Sequence, residues 1–172
     1  MRSRDELYNL ILNDAETFNS SKEDDMDLTE FDFSNKELTD IDFSNSELID
    51  SSFLDSVITK CSFVNCDLTS VDFTRAKLVE CDFSEALLNG TNLSYAQIDY
   101  CNFTEADMAG AILLEAAFEN TDLSASENLQ ASRFDETTVW PDDEYLPEDF
   151  DSTATSDLSS LQDDEEYTEP DY

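Results

Sequence analysis

The chain has 172 residues, enough for one domain, and a formal net charge of −35 from 43 acidic and 8 basic residues. This acidity excludes nucleic acid and anionic membranes as direct partners, since like charges repel. The absence of histidine removes the commonest general base and metal ligand, and the absence of long apolar runs excludes a membrane-spanning helix.

The first predicted element is an amphipathic helix from Ser3 to about Asp14. Ser3 and Glu6 have the spacing of a capping box, and an apolar stripe at helical spacing follows them. We expect this helix to close the open end of the element that follows; a helix that binds a partner is the alternative. The stripe comprises Leu7, Leu10, Ile11, Ala15 and Phe18.

The N-terminus also bears on location. Arg2 and Arg4 are followed at once by Asp5 and Glu6, and no long apolar stretch with a small-residue cleavage site comes after them. This pattern does not match a secretory signal, so we expect a cytoplasmic protein.

A repeat of five residues dominates the chain from Leu28 to Leu123. A large apolar residue fills every fifth position, which neither an α-helix nor a flat strand requires. The series is Leu28, Phe33, Leu38, Phe43, Leu48, Phe53, Ile58, Phe63, Leu68, Phe73, Leu78, Phe83, Leu88, Leu93, Ile98, Phe103, Met108, Leu113, Phe118 and Leu123.

The other slots of the repeat are also restricted. The residue two places before the large one is mostly Ser, Cys or Ala, and Asp or Asn often stands between them, as in Cys81-Asp82-Phe83. A backbone that turns a corner every five residues explains the pattern, with the small and large residues pointing inward. The Asp or Asn side chain can accept hydrogen bonds from corner amides, which replaces turn glycine.

Like residues recur every twentieth position, which indicates four corners in each coil. Cys61, Cys81 and Cys101 also lie twenty apart. About five coils, spaced by about 4.8 Å, would form a rod. The predicted core stack is Phe43, Phe63, Phe83 and Phe103.

These residues resemble the pentapeptide-repeat family, whose pattern is approximately A(D/N)LXX. Ala106-Asp107-Met108 and Cys81-Asp82-Phe83-Ser84 match it directly, and the resemblance covers about residues 26 to 125. It implies an all-β solenoid, a right-handed quadrilateral β-helix. The first coil departs from the pattern, because bulky residues fill its small slots. These residues are Met26, Phe31, Lys36 and Ile41.

The five-step changes register after Leu123 and resumes at Leu129, Phe134 and Val139. The stretch from Leu129 to Asp142 resembles the closing segment of many cyanobacterial pentapeptide-repeat proteins, which points to a bacterial source. We expect Trp140 to cover the last coil.

Beyond Trp140 the composition shifts to Asp, Glu, Ser and Thr, and residues 142–172 contain no Lys or Arg. This composition is typical of disorder. The predicted organisation is therefore a capping helix and linker over residues 1–25, a β-helix over 26–140, and an acidic disordered tail over 141–172. The tail is either a solvated segment or an acidic peptide for a basic partner.

No catalytic or cofactor site is predicted. The chain lacks a P-loop, a dinucleotide fingerprint and a nucleophile motif with a base, and a rod offers no cleft. Cys61 and Cys66 have the spacing CxxxxC rather than the CxxC typical of zinc sites. We therefore expect no enzymatic activity, no cofactor and no metal, with the four cysteines packed inside the coils.

The outward positions two residues after each large residue form the candidate interaction surface. Carboxylates and two tyrosines occupy them, a combination that suits a protein interface, although an ordinary solvated surface is the alternative. The candidates are Asp40, Asp50, Glu80, Glu85, Tyr95, Tyr100 and Glu105.

Two functions remain open from the sequence. One is a protein-binding scaffold or regulatory adaptor whose acidic faces bind a basic protein surface, as the resemblance to cyanobacterial members suggests. The other is a DNA mimic, since some members of the family are acidic rods that occupy the DNA-binding saddle of type II topoisomerases such as gyrase. The chain lacks the long loops of the quinolone-resistance members, and fold alone does not decide between these functions.

Overall fold

The computed structural model describes residues 2–155, which form a right-handed quadrilateral β-helix of about five coils with two short helices at its N-terminal end. We number the coils one to five from their first residues, 26, 46, 66, 86 and 106. Each coil has four faces, named first to fourth in chain order from residues 26, 31, 36 and 41 of coil one. No helix among the described residues has the length and apolarity needed to cross a membrane.

Parallel pairing joins each coil to the next with a shift of twenty residues. The third face forms a five-stranded sheet in the order β2-β4-β5-β6-β7, in which Leu38 pairs with Ile58 and Ile58 with Leu78. Strands β1 and β3 pair on the first face, and isolated bridges join the other faces. The strands are β1 (Met26–Asp27), β2 (Glu37–Thr39), β3 (Ser46–Glu47), β4 (Val57–Thr59), β5 (Lys77–Val79), β6 (Gln97–Asp99) and β7 (Ala117–Glu119).

The core is a set of stacked side chains inside the square coil, as the twenty-residue period predicts. The rings of Phe63 and Phe83 stack at 4.8 Å, and those of Phe83 and Phe103 at 5.0 Å. A second stack runs beside it, and Phe73 meets Phe63 edge-on at 5.8 Å. These rings are fully buried, so their packing supplies much of the hydrophobic stabilisation of the rod.

The N-terminal helices cover coil one. Helix α1 (Arg4–Asn13) has the predicted capping box between Ser3 and Glu6, and a second helix, α2 (Ala15–Ser21), follows it. Ile11 and Phe18 are buried against the coil, where Phe18 meets Phe43 at 6.1 Å. We did not predict α2, which places the apolar stripe on two helices instead of one.

Polar side chains from these helices complete the hydrogen bonding of the exposed coil edge. Asn19 donates through Nδ2 to the Asp40 carbonyl at 2.7 Å and accepts through Oδ1 from the Asp42 N–H at 2.9 Å. The Tyr8 hydroxyl donates to the Asp32 carbonyl at 2.9 Å. These bonds replace the partners that a preceding coil would supply.

Coil one keeps the regular twenty-residue pairing despite its bulky slots. Phe31 and Ile41 are buried, and Phe31 lies between the Tyr8 ring and the Arg4 guanidinium, whose carbon is 4.2 Å from its centroid. Met26 and Lys36 are half-buried. Bulky residues fit here because they meet helices on the open side rather than another coil.

The C-terminal end departs from the predicted five-step. Ile112 bridges Arg133 and Ala117 bridges Val139, so two extra residues enter the last turn beyond the twenty-residue register. Val139 is consequently 56% exposed and Trp140 takes the inward position, stacking on Phe118 at 5.6 Å. The prediction that Trp140 covers the last coil is confirmed, and the inward placement of Val139 is wrong.

The ordered chain continues past the boundary predicted at residue 141. A short 3-10 turn spans Asp143–Tyr145, Leu146 is buried, and Phe150 contacts the rings of Phe134 at 5.2 Å and Trp140 at 4.9 Å. This segment packs because it carries apolar residues among its acids and covers the last apolar layer. The rest of the predicted tail, residues 156–172, lies outside the described residues.

The four cysteines are free thiols buried in the core. Cys61, Cys81 and Cys101 stack on the fourth face and Cys66 lies on the first, as predicted. Burial raises the pKa of Cys61 and of Cys66 to about 12, and the hydrogen bond with Cys81, followed by burial, raises the pKa of Cys101. Among residues 2–155 no three metal-ligating side chains are placed to hold an ion.

We therefore expect the native thiols to be nearly inert to a thiol reagent at pH 8. A pKa of about 12 instead of 9 lowers the thiolate fraction of Cys61 and Cys66 roughly a thousandfold. The hydrogen bond with Cys101 lowers the pKa of Cys81, so its inertness depends on the packing that buries all four thiols. Titration in denaturant should find four reactive thiols, whereas the folded protein should show almost none. A Ser70→Cys variant supplies an exposed thiol as the control. Native cysteines that react as fast as this control would contradict the assignment.

Candidate interaction surface

The corners of the coils determine which side chains face solvent. Residues at every fifth position adopt a left-handed conformation, such as Glu80 with φ 53° and Tyr100 with φ 54°. The preceding Asp or Asn accepts a hydrogen bond from the amide two residues later, as Asp82 Oδ1 does from the Ser84 N–H at 3.0 Å. This confirms that side-chain acceptors replace turn glycine, and Gly90 and Gly110 are the exceptions.

All the predicted surface residues are exposed, but they lie at four different corners rather than on one surface. Glu85 and Glu105 share a corner, and Asp50 lies at the next corner with Glu30. Tyr95 stands one coil above Arg75 at a third corner. The fourth corner holds Asp40, Lys60, Glu80 and Tyr100.

The first and fourth faces, which we call the acidic faces, carry carboxylates and no cation over residues 26–125. They adjoin along the corner of Glu85 and Glu105. Their carboxylates repeat with the coils, so they form columns along the rod. The residues are Asp27, Glu30, Glu47, Asp50, Asp67 and Asp107 on the first face and Asp42, Asp82, Glu85, Glu105 and Asp122 on the fourth.

Leu87 interrupts the carboxylate column of the first face. It occupies the same column as Asp67 and Asp107, with which it forms bridges, and is 49% exposed. Leu87 is therefore an exposed apolar side chain inside an acidic surface, a combination found in protein interfaces.

The cations of the coiled region lie on the second and third faces. Lys60 pairs with Glu80 at 3.8 Å and Arg75 pairs with Asp55 at 2.7 Å, and all four side chains are more than a third exposed. Such exposed pairs contribute little stability, about 0–1 kcal/mol each. The cations of the coiled region therefore do not lie on the acidic faces. At coil one, however, two cations of the N-terminal segment reach these faces: Arg4 donates to the Thr29 carbonyl at 2.6 Å and Lys22 to the Ser44 hydroxyl at 3.4 Å.

Sequence reasoning considered only the corner positions and so missed this partition. Sorting every outward residue by its position in the twenty-residue coil would have revealed the partition, because the cations of residues 26–125 fall on only two of the four faces. Leu87 was missed for the same reason: it fills the slot that Asp or Asn usually occupies.

The described surface has grooves but no catalytic arrangement. One of them, about 710 Å³, lies between α2 and β2 and is lined by Ala15, Glu16, Asn19, Ser20, Thr39 and Asp40. Carboxyl pKa values are lowered at Asp27 and Asp32 by hydrogen bonds from Thr29 and Ser34, respectively. Turn hydrogen bonds explain these shifts, which do not indicate an acid–base pair.

Comparison with known proteins agrees with this architecture. Residues 56–137 match the family model described as a pentapeptide repeat region. No curated protein matches the chain.

Three similar solved structures are pentapeptide-repeat or resistance proteins. A pentapeptide repeat protein from the Arabidopsis thaliana thylakoid lumen is 26% identical, with a TM-score of 0.32, covering 69% of this chain and 71% of its own. QnrB1, a plasmid-mediated fluoroquinolone resistance protein, is 19% identical, with a TM-score of 0.35 and coverages of 78% and 79%. HetL, involved in heterocyst differentiation regulation in Nostoc, is 16% identical, with a TM-score of 0.24 and coverages of 62% and 56%. Such low TM-scores carry no functional information.

Proposed function

Because this chain is a pentapeptide-repeat protein, we propose that it is a non-enzymatic scaffold whose acidic faces bind a basic surface of another protein. Pentapeptide-repeat proteins are generally non-enzymatic scaffolds. The grooves described above have no catalytic arrangement, and the chain has no histidine; both observations support the same role for this chain.

The observation that carries the proposal is the charge partition around the rod. The acidic faces contain no Lys or Arg of their own over residues 26–125, whereas the other two faces carry Lys36, Lys60, Arg75 and Lys77. Solubility alone requires only a large net charge and does not require two adjoining faces without cations. A carboxylate-rich surface instead suits a partner with a matching basic surface.

Electrostatic complementarity would act mainly on the association rate and on the choice of partner. Exposed charges are screened beyond about 8 Å at physiological salt, so affinity should fall as salt rises. Leu87 would add a contact that salt does not weaken. Tyr95 lies at the corner between the second and third faces, away from the acidic faces, and Tyr100 lies at the corner where the third face meets the fourth. The proposal depends on the carboxylates and assigns no part to either tyrosine.

The test uses substitutions that remove charge and keep the fold. Asn accepts the same corner hydrogen bond as Asp, since Asn92 Oδ1 accepts from the Ser94 N–H at 3.0 Å. The acidic-face variant combines Asp67→Asn, Asp82→Asn and Asp107→Asn. Its control, on the second face, combines Asp32→Asn, Asp72→Asn and Asp135→Asn.

We expect proteins captured from a cell lysate by the immobilised chain to be basic and to elute as salt is raised. The acidic-face variant should lose most of this capture, and the control should retain it although its net charge is the same. Equal losses in both variants would mean that net charge alone drives binding. Capture that is indifferent to salt would contradict the proposal.

A DNA mimic that binds gyrase is the second candidate. The supporting observation is the same carboxylate-rich surface, since carboxylate columns along a rod can occupy a site built for a phosphate backbone. Supercoiling by purified gyrase should then change when the chain is added, with or without quinolone, and the acidic-face variant should have a smaller effect. Unchanged supercoiling at micromolar protein would eliminate this candidate and leave the scaffold.

A further inference from the structure

The sheet face, formed by β2, β4, β5, β6 and β7, has charges that are separated along the rod. Together with its flanking corner it carries Lys60, Arg75 and Lys77 in coils two and three, whereas residues 95–120 contain no Lys or Arg. Asp99, Glu115 and Glu119 lie in this second part. Because Glu80 and Asp55 already pair with Lys60 and Arg75, the first part is locally positive and the second negative.

The same face carries exposed apolar and aromatic side chains. Tyr95 and Tyr100 stand at its two edges in coil four and are 51% and 62% exposed. Val57 is 40% exposed and Val79 is half-buried. Exposed aromatic and aliphatic residues on one surface are typical of protein interfaces.

We propose that the sheet face is a self-association surface on which a second copy of the chain packs with its rod antiparallel. A two-fold axis that runs parallel to the strands and passes between β5 and β6 places coil three of one copy over coil four of the other. The same axis places coil two over coil five. Lys77 then comes within reach of Asp99 of the second copy, and Arg75 approaches its Tyr95 ring. Each contact occurs twice.

Charge complementarity selects this occupant and this orientation. Within residues 2–155 Lys77 forms no ion pair in the single chain, so it can pair with a second copy without breaking an existing bridge. A two-fold axis along the length of the rods would instead make them parallel and place Lys77 of one copy over Lys77 of the other. A basic partner is disfavoured on this face, because cations lie here already.

The size of the face limits the affinity. The two-fold axis opposes four strands of each copy, about 19 Å along the rod, and a side of five residues is about 16 Å wide, so the two faces bury on the order of 600 Å² in total, which is the size of a weak contact. Both copies carry a net charge of −35, which opposes association at low salt. Raising salt shortens the screening length from about 30 Å at 0.01 M to about 8 Å at 0.15 M, so we expect association to strengthen over this range. Binding through the acidic faces has the opposite salt dependence and can fail independently.

The test is analytical ultracentrifugation of the full chain and of two charge-reversed variants, Lys77→Glu and Asp99→Lys. The wild type should associate to a dimer with a dissociation constant on the order of 0.1 mM at 0.15 M salt. Each variant alone should remain monomeric, since both contacts then join like charges. Their equimolar mixture should form a heterodimer, because both contacts again join opposite charges.

The substitutions are compatible with the fold. For Lys77→Glu, Glu37 already lies in the same column as Lys77. For Asp99→Lys, Lys60 shows that a lysine is accommodated at the neighbouring corner, where it pairs with Glu80. Glu47→Lys, on the first face, makes the same charge change as Asp99→Lys and should leave association intact. A wild type that stays monomeric up to about 1 mM would overturn the proposal. So would variants that associate by themselves, or a mixture that stays monomeric.

Discussion

The Phe83→Asp variant should not fold. Phe83 is fully buried between Phe63 at 4.8 Å and Phe103 at 5.0 Å, and Phe73 meets its ring edge-on at 5.9 Å. Removing a buried Phe costs about 3–5 kcal/mol, and an unpaired carboxylate in its place adds several more. The sum is comparable to the whole stability of a typical domain, about 5–15 kcal/mol.

A matched substitution two residues away should have almost no effect. Glu85 is exposed at a corner with φ 60°, and Lys60 shows that a lysine adopts the same conformation, with φ 56°. We therefore expect Glu85→Lys to change the free energy of unfolding by less than about 0.5 kcal/mol. Thermal melts followed by circular dichroism measure both variants. If both lose the same stability, the assignment of inward and outward positions fails.

The predictability of the coils from sequence follows from their geometry. A coil of four equal sides forces every fifth residue inward, so Phe63, Phe83 and Phe103 show both the five-residue and the twenty-residue period. Parallel pairing with a shift of twenty depends only on that period. Local rules likewise predicted the capping box of Ser3 and Glu6, which involves residues three apart.

The ends were less predictable because no repeat constrains them. Val139 continues the five-step in sequence, yet the structure inserts extra residues and turns Trp140 inward, since the large indole covers more of the open layer. Phe150 lies in a segment whose acidic composition resembles disorder, and its packing depends on the distant Phe134 and Trp140 rings. Such contacts between segments leave no periodic signal.

The candidate surface was predictable in kind but not in extent. Composition predicted an acidic surface, and the five-step placed Glu85 and Glu105 correctly on the outside. The two faces that carry no Lys or Arg over residues 26–125 emerge only when residues twenty apart are grouped. The charge separation on the sheet face requires the order of coils as well. Both features are properties of the stacked structure rather than of any local motif.

The second large effect expected is the loss of the rod when its N-terminal cap is removed. Deleting residues 1–21 uncovers the rings of Phe33 and Phe43, which Tyr8 and Phe18 contact at 5.5 and 6.1 Å. It also removes the hydrogen bonds of Asn19 to the backbone of Asp40 and Asp42. The result is an open coil with an apolar layer and unpaired backbone groups, which is a template for association with other chains.

We expect the shortened chain to precipitate or to form large assemblies, and to lose the cooperative melt of the full chain. Phe18→Asp should have nearly the same effect, since it places a carboxylate against Phe43. Glu16→Gln is the control, because Glu16 is exposed on the same helix and its change leaves the covered layer intact. Light scattering after size-exclusion chromatography separates these large assemblies from the weak dimer proposed for the sheet face. A shortened chain that stays monomeric and melts as the full chain does would show that coil one needs no cap.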